Sequence, residues 1–388
     1  MKIELHVLQN FAPANLNRDD TGTPKNCLFG GYRRARISSQ SFKRAMREHL
    51  LRESADFVGI RTRRIIVEIA ERIAKQKPAP KTVVDLVSAV FKDGGIERPS
   101  RGSDEERENT RIILFLSESS IDLMVQCFRD RWESLTGKDR DARSAAIEEL
   151  GAILVESASV PQIALFGRMI EVGDSTPFGK MNLRVDAAAQ VGQSISTNKV
   201  DIEFDYFTAV DNLQQGAETG AGMIGTIEFN SACFYRYASV DVDQLARNLT
   251  GNGQMVTPEV VELTRRTVEA FVRSFVIAIP TGKQNSMAAH NPPSFVLAVA
   301  REGGNWSLAN AFVQPIVPRP NADLVSGSIA ALDAYWGDLM AMYGTQGITG
   351  QWYAAIGAPK VTALENARVD GLDALMTCVL DATQVVAV

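Results

Sequence analysis

Between Asn17 and Arg47 the chain reads NRDDTGTPKNCLFGGYRRARISSQSFKRAMR, in which eight Lys/Arg stand against two Asp. Arg33, Arg34 and Arg36 offer fork-shaped guanidinium donors, whose geometry matches a phosphate and whose charge persists at every working pH. Ser38 or Ser39 can cap a helix carrying Lys43, Arg44 and Arg47, turning free backbone N–H groups and the positive end of the helix dipole outward. Gly30-Gly31 permits close approach of another backbone. All three devices favour a polyanion; the plainer alternative is a solvated basic face paired with acids elsewhere. Far along the chain, Lys283-Gln284 sits in a loop that could add one more phosphate contact, although by itself it is only a polar loop.

Other chemistry is sparse. Asp19 and Asp20 could hold a divalent cation beside a scissile phosphate, but adjacent carboxylates on a loop more simply form an Asx turn or orient Arg18. Gly220, Gly222 and Gly225 spell GxGxxG, yet they precede a strand instead of joining a strand to a helix, which excludes dinucleotide binding. A flexible hairpin base fits them better, leaving Met223 and Ile224 exposed near its end, where apolar residues pack on a partner or wedge between bases. His6 and His290 have no partners at ligand spacing, and the four cysteines, Cys27, Cys127, Cys233 and Cys378, form no CxxC pair. A zinc cage is therefore not expected, nor is a nucleophilic triad. We expect no catalytic residue, metal or cofactor.

Bulk properties are consistent with this. The 388 residues are 45% hydrophobic and 22% charged, the pattern of a packed protein, and the formal net charge of −5 requires any nucleic-acid surface to be local. The N-terminus alternates like a strand and has no signal-peptide pattern, and no stretch reaches the length of a membrane span. A cytoplasmic location with reduced thiols is the expectation.

The elements that would position these residues can be read from periodicity. Lys2–Gln9 places Ile3, Leu5 and Val7 on one face of a first strand, and residues 11–37 look like a long exposed loop. A helix follows with Phe42, Ala45, Met46 and Leu50 inward. Residues 55–160 look mainly helical, with one strand-like run at Ile112–Leu116. Gly173 to Gly225 is polar and glycine-punctuated, suiting a protruding hairpin, and Thr226–Tyr237 alternates as a strand. Thr257-Pro258-Glu259 supplies an N-cap, an N1 proline and an acidic first turn for a helix to about Ile279. A strand at Ser294–Val299 and two helices within residues 322–388 complete the chain. With insertions removed the order is strand, helix, strand, strand, helix, strand, so the expected fold is α+β, with a ferredoxin-like or RRM-like sheet.

The segment NRDD through FGGYRRARISSQSFKRAMR closely resembles the backbone subunit of the type I-E CRISPR Cascade complex, the CasC family. The likeness continues in FGRM at Phe166–Met169, DYFTAVDNLQ at Asp205–Gln214, GTIEFNSACFYRYA at Gly225–Ala238, GKQ at Gly282–Gln284 and ANAF at Ala309–Phe312. The resemblance implies a right-hand-shaped subunit with an RRM-like palm, an inserted helical fingers lobe and a thumb β-hairpin. Mapped onto this chain, the parts would be palm 1–54, fingers 55–165, thumb 166–225, second palm part 226–301 and a C-terminal helical segment, 302–388, completing the palm. It implies backbone contacts to a guide RNA (crRNA) from Arg18, Lys25, Ser38, Gln40, Lys43 and Arg47, with Asn17 and Ser39 in the same matching segment. Met169, Met223 and Ile224 would act as wedges that displace a base. The implied partners are the crRNA, target DNA paired to it, further copies of this chain, a guide-processing head subunit, tail, small and large subunits, and a recruited helicase-nuclease. Cutting would belong to that last partner. The alternative is a metal-dependent RNA endonuclease, since related spine subunits cut with an aspartate; Asp19, Asp20 or Asp205 would be the candidates.

Overall fold

A computed structural model describes residues 1–385 except 54–56, 102, 104, 105, 107, 210–222, 252–254 and 321. In chain order the elements are β1 (Lys2–Ala14), β2 (Asn26–Phe29), β3 (Tyr32–Ile37), α1 (Ser39–Glu53), β4 (Ile60–Thr62), α2 (Ile65–Ala74), α3 (Lys81–Gly94) and β5 (Leu114–Leu116). There follow α4 (Glu118–Asp130), α5 (Trp132–Thr136), α6 (Arg140–Glu156), α7 (Pro161–Phe166), β6 (Ala189–Val191), β7 (Ser194–Ser196), β8 (Glu203–Ala209) and β9 (Met223–Asp241). The chain closes with α8 (Val242–Thr250), α9 (Pro258–Ile277), α10 (Gln284–Met287), β10 (Phe295–Arg301), α11 (Leu324–Tyr343), β11 (Ile348–Ala355) and α12 (Gly371–Ala382). The chain is thus mixed α+β with a large antiparallel sheet. No helix among the described residues is long and apolar enough to cross a membrane.

The contacts divide the chain into two units. The first contains Met1–His49, Gln190–Asp241 and Val268–Gln384, and is built on a sheet of order β11-β10-β1-β9-β7-β3-β2. The central strand β1 pairs antiparallel with β10 on one side and β9 on the other. Both of its faces are covered, which explains why the simple alternation in its sequence is incomplete: Glu4, His6 and Gln9 are as buried as Ile3, Leu5 and Val7. These polar groups find partners inside, apart from His6 Nε2, which is buried without one. Glu4 accepts from the Tyr237 hydroxyl at 2.7 Å, the Trp306 N–H at 2.6 Å and the Arg301 guanidinium at 3.1 Å. His6 Nδ1 lies 2.9 Å from the Tyr235 hydroxyl, which accepts the Leu308 N–H at 2.8 Å. Above this face, Leu8, Phe295, Leu297, Leu332 and Trp336 form one apolar cluster with α11.

On the opposite face Arg236 is fully buried, with no carboxylate partner among the described residues; its guanidinium donates to Gln9 Oε1 at 2.5 Å and to the Phe275 carbonyl, and stacks over Phe42 and Phe275. Burial lowers its pKa to about 9. It ties α1, β9 and α9 together, a role that its sequence neighbourhood does not announce.

The second unit has Leu50–Ala189 and Val242–Thr267 as its main segments. Ile66, Ile69, Phe91, Phe128 and Leu150 form its core, and β4 pairs with β5. Here the capping chemistry is explicit: Ser117 accepts the Ser120 N–H at the start of α4, and Asp139 accepts the N–H groups of Asp141 and Ala142 at the start of α6. At α9 the expected cap holds, with the Val260 N–H donating to Thr257 Oγ1 at 3.4 Å.

Three expectations need correction. Residues 11–37 are not one open loop: β1 runs on to Ala14, and β2 and β3 form a hairpin whose turn is Gly30-Gly31. Both glycines have positive φ, 60° and 83°, the condition for a tight twisted hairpin turn. A further strand, β11, lies in the segment read as two helices. Its sequence, ITGQWYAA, alternates only weakly and carries Gly350 in its interior, a residue that weakens the strand signal. Finally, β9 is longer at both ends than the run Thr226–Tyr237.

Candidate nucleic-acid interface

The basic segment is held by a chain of hydrogen bonds, all within the first unit. Asn17 Oδ1 accepts the Ser38 N–H at 2.9 Å, the Asn17 carbonyl accepts the Lys25 N–H at 2.8 Å, and the Lys25 carbonyl accepts the Arg36 N–H at 2.9 Å. Residues 17, 25, 36 and 38 are therefore brought together. Ser38 is the cap, with its hydroxyl accepting the Ser41 N–H at 3.3 Å. From that point Gln40, Lys43 and Arg47, spaced three and four apart, share one stripe of α1. Lys43 is half-buried, and burial first, then the neighbouring Arg47, lowers its pKa. Arg44 belongs to the adjacent stripe, where it pairs with Glu48 at 2.9 Å. Arg18 and Arg33 are exposed, and Arg36 donates to Gln193 Oε1.

The loop Gly282–Gln284 joins this surface through a close backbone approach. A Cβ on Gly282 would stand 2.3 Å from the Leu16 carbonyl oxygen and 2.8 Å from that of Asn15, so only glycine lets Lys283 lie beside the segment that leads into Asn17. Gln284 is turned inward, donating to the carbonyls of Pro280 at 3.3 Å and Ala289 at 3.2 Å. Asn15 was not singled out from sequence, yet it is buried and its Nδ2 bridges the carbonyls of Gly22 at 3.0 Å and Glu228 at 2.8 Å, pinning the 19–23 turn to β9. An Asn before an Asx turn was the only available signal.

Arg34 departs from expectation. It is fully buried, and its guanidinium donates to the carbonyls of Ser196 at 2.9 Å, Thr197 at 2.8 Å, Phe312 at 2.7 Å and Val313 at 3.1 Å. A phosphate cannot reach it. Gly30 also makes its close approach to protein: a Cβ there would meet the Val313 carbonyl oxygen at 2.2 Å.

Asp19 closes its own turn, accepting from Thr21 N at 3.0 Å, Thr21 Oγ1 at 2.7 Å and Thr23 N at 3.0 Å. The Thr21 hydroxyl bond is the main reason its carboxyl is held below the usual range. Asp205 stands in β8, opposite Ile227. Among the described residues no cluster of three His, Cys, Asp or Glu could hold a metal.

Of the wedge candidates, Met169 belongs to the second unit and is 75% exposed. Its neighbour Arg168 is buried, donating to the carbonyls of Leu183 at 3.0 Å and Leu154 at 2.8 Å and to Ser157 Oγ at 2.6 Å, so the FGRM segment is anchored by its arginine and displays its methionine. Met223 and Ile224 begin β9 opposite Ala209 and Thr208, but their side chains, and residues 210–222, lie outside the described residues. Gly220 and Gly222 fall there too.

Chemically, the interface combines cations, a capped helix start and a backbone-lined turn, which together suit a phosphodiester chain. Many chains of solved structures are similar to this one, two of them as follows. One, described as a CRISPR RNA-guided surveillance complex, pre-nicking, matches with a TM-score of 0.83 at 25% identity, covering 99% of this chain and 100% of that one. The other, a CRISPR RNA-guided surveillance complex, has a TM-score of 0.61 at 22% identity with the same coverage, a likeness of fold alone. No curated protein matches. Residues 3–379 match the CT1975-like proteins, and by that near-complete match the chain belongs to the CT1975-like protein family.

Proposed function

We propose that this chain is a component of a CRISPR interference complex, and within it the crRNA-holding backbone subunit of the type I-E, CasC-like kind. In this reading the strand order β10-β1-β9-β7, with α1 and α9 as crossovers, is an RRM-like palm, residues 55–165 are the fingers, and residues 166–225, with β8 and the start of β9, are the thumb. The observation that carries the proposal is the stripe Gln40, Lys43 and Arg47 beginning at the capped start of α1, beside the Asn17–Lys25 turn.

Such contacts grip ribose-phosphate without reading bases, so pairing supplies specificity. Successive copies docked head to tail along the spacer would give an open helical filament, with Met169, Met223 and Ile224 as base wedges and the intervening bases presented to target DNA. The head, tail, small and large subunits and the helicase-nuclease would complete the assembly. The chain itself would cut nothing, a reading supported by Asp19 being committed to its turn.

Lys43→Gln with Arg47→Gln tests the interface. Each lost phosphate contact on a single strand lowers the slope of log K against log salt by about 0.7, so the double variant should lose about 1.4. An unchanged slope contradicts the proposal. Incubating the guide-loaded complex with complementary RNA and Mg²⁺ should leave that RNA intact; regularly spaced fragments would point to the endonuclease instead.

A further inference from the structure

The second unit carries a polar concavity that the interface above does not use. A cavity of about 150 Å³ is lined by Asn182, Arg184, Asp186, Gln244, Arg247 and Asn248, among others. It is braced from below: Asn248 Nδ2 donates to the carbonyls of Ala164 at 2.9 Å and Asp186 at 2.8 Å, tying α8 to the end of α7 and to the 182–186 segment. Gln244 Nε2 donates to Asn248 Oδ1 at 2.8 Å and Gln244 Oε1 accepts from Arg247 at 3.0 Å, so that guanidinium is aimed by a neutral amide. Among the described residues neither Arg184 nor Arg247 is engaged by a carboxylate, although Asp186 stands at the same rim. Both arginines are exposed.

The location gives this cluster meaning. Arg168 and Val185 exchange backbone hydrogen bonds, each 2.9 Å, as an antiparallel bridge. The next residues outward are Met169 on one side and Arg184 on the other, so a 75% exposed apolar side chain stands beside an exposed guanidinium and the cavity behind it. An ordinary solvated arginine needs neither the amide brace nor the apolar neighbour. A nucleotide offers both complements, an apolar base face for Met169 and a phosphate for a guanidinium fork.

We propose that Arg184 and Arg247, with Asn182 and the amide-braced α8, form a second phosphodiester-binding site beside Met169. The inference rests on the nucleic-acid reading of the first unit and adds a contact on the second. Its ligand is a backbone phosphate, either of the guide or of the strand paired to it.

The test uses the full chain with Arg184→Gln and Arg247→Gln together, titrated across salt with a labelled single-stranded RNA and with the same RNA annealed to complementary DNA. A loss of about 0.7 in slope on RNA alone, one phosphate's worth, assigns the guide phosphate. A loss only on the hybrid assigns the paired strand. Arg184→Lys with Arg247→Lys, keeping the charge, should retain most of the slope, and Asp186→Asn, removing the competing carboxylate, should strengthen binding at low salt. Parental slopes for the double Gln variant on both ligands, with no gain from Asp186→Asn, would overturn the site. Should Lys43→Gln/Arg47→Gln alone flatten the slope, the first-unit interface stands while this one falls; should neither pair change it, both fall.

Discussion

Taken one side chain at a time, the arginines of this chain serve two purposes that look alike in sequence. Arg34, Arg168 and Arg236 are buried and grip backbone carbonyls, whereas Arg18 and Arg33 are exposed. A run such as YRRARI shows only that cations are dense; the strand's alternation decides which one turns inward. The two classes separate experimentally. Arg34→Met leaves four carbonyls without their donor and should lower stability by about 3 kcal/mol in urea unfolding, while leaving the salt slope of RNA binding unchanged. A slope that falls with a normal unfolding midpoint would return Arg34 to the interface. Arg33→Gln should do the reverse, changing binding and not stability.

Between elements, the interface depends on three stretches distant in sequence meeting in space: the 15–25 turn, the start of α1 and the loop before α10. Gly282 is where the third meets the first. Gly282→Ala must push the loop away from Leu16, so it should weaken RNA binding several-fold and lower the melting temperature, whereas Gly303→Ala, with open space around its Cβ position, should change neither. Equal behaviour of the two variants would show that the close approach is unimportant. The same stretches show how far local sequence was legible. Local rules sufficed for α1, α9 and the opening of the first strand, though not for its extension to Ala14, because capping residues and apolar periods are written side by side. They failed for the β2–β3 hairpin, where Leu28 points out at 78% exposure and Arg34 points in, reversing the usual pattern. They failed again for β11, and no local rule could bring Gly282 to Leu16, since that close approach depends on how the whole sheet closes.

Across the full chain, a net charge of −5 coexists with a cationic strip because the strip is local and the remaining acids are spread elsewhere. Stability has its own pH dependence, set deep in the sheet. His6 is fully buried and its pKa is lowered to about 3, by desolvation first and then by Arg301. Between that value and the ordinary 6.5 the unfolded chain binds a proton that the folded chain refuses, so stability is lost as pH falls through this window and is recovered above it. From pH 7 to pH 4 this histidine should remove on the order of 3 kcal/mol, and His6→Gln should remove that part of the slope; identical pH profiles for the two proteins would rule out the burial effect. Whether this chain grips a sugar-phosphate backbone without reading sequence is decided by the affinity of the full chain for two RNAs of equal length and unrelated sequence, measured across a range of salt. The two affinities should match, and should fall together and steeply as salt rises. A strong preference for one RNA, or affinities indifferent to salt, would refute a sequence-blind electrostatic grip.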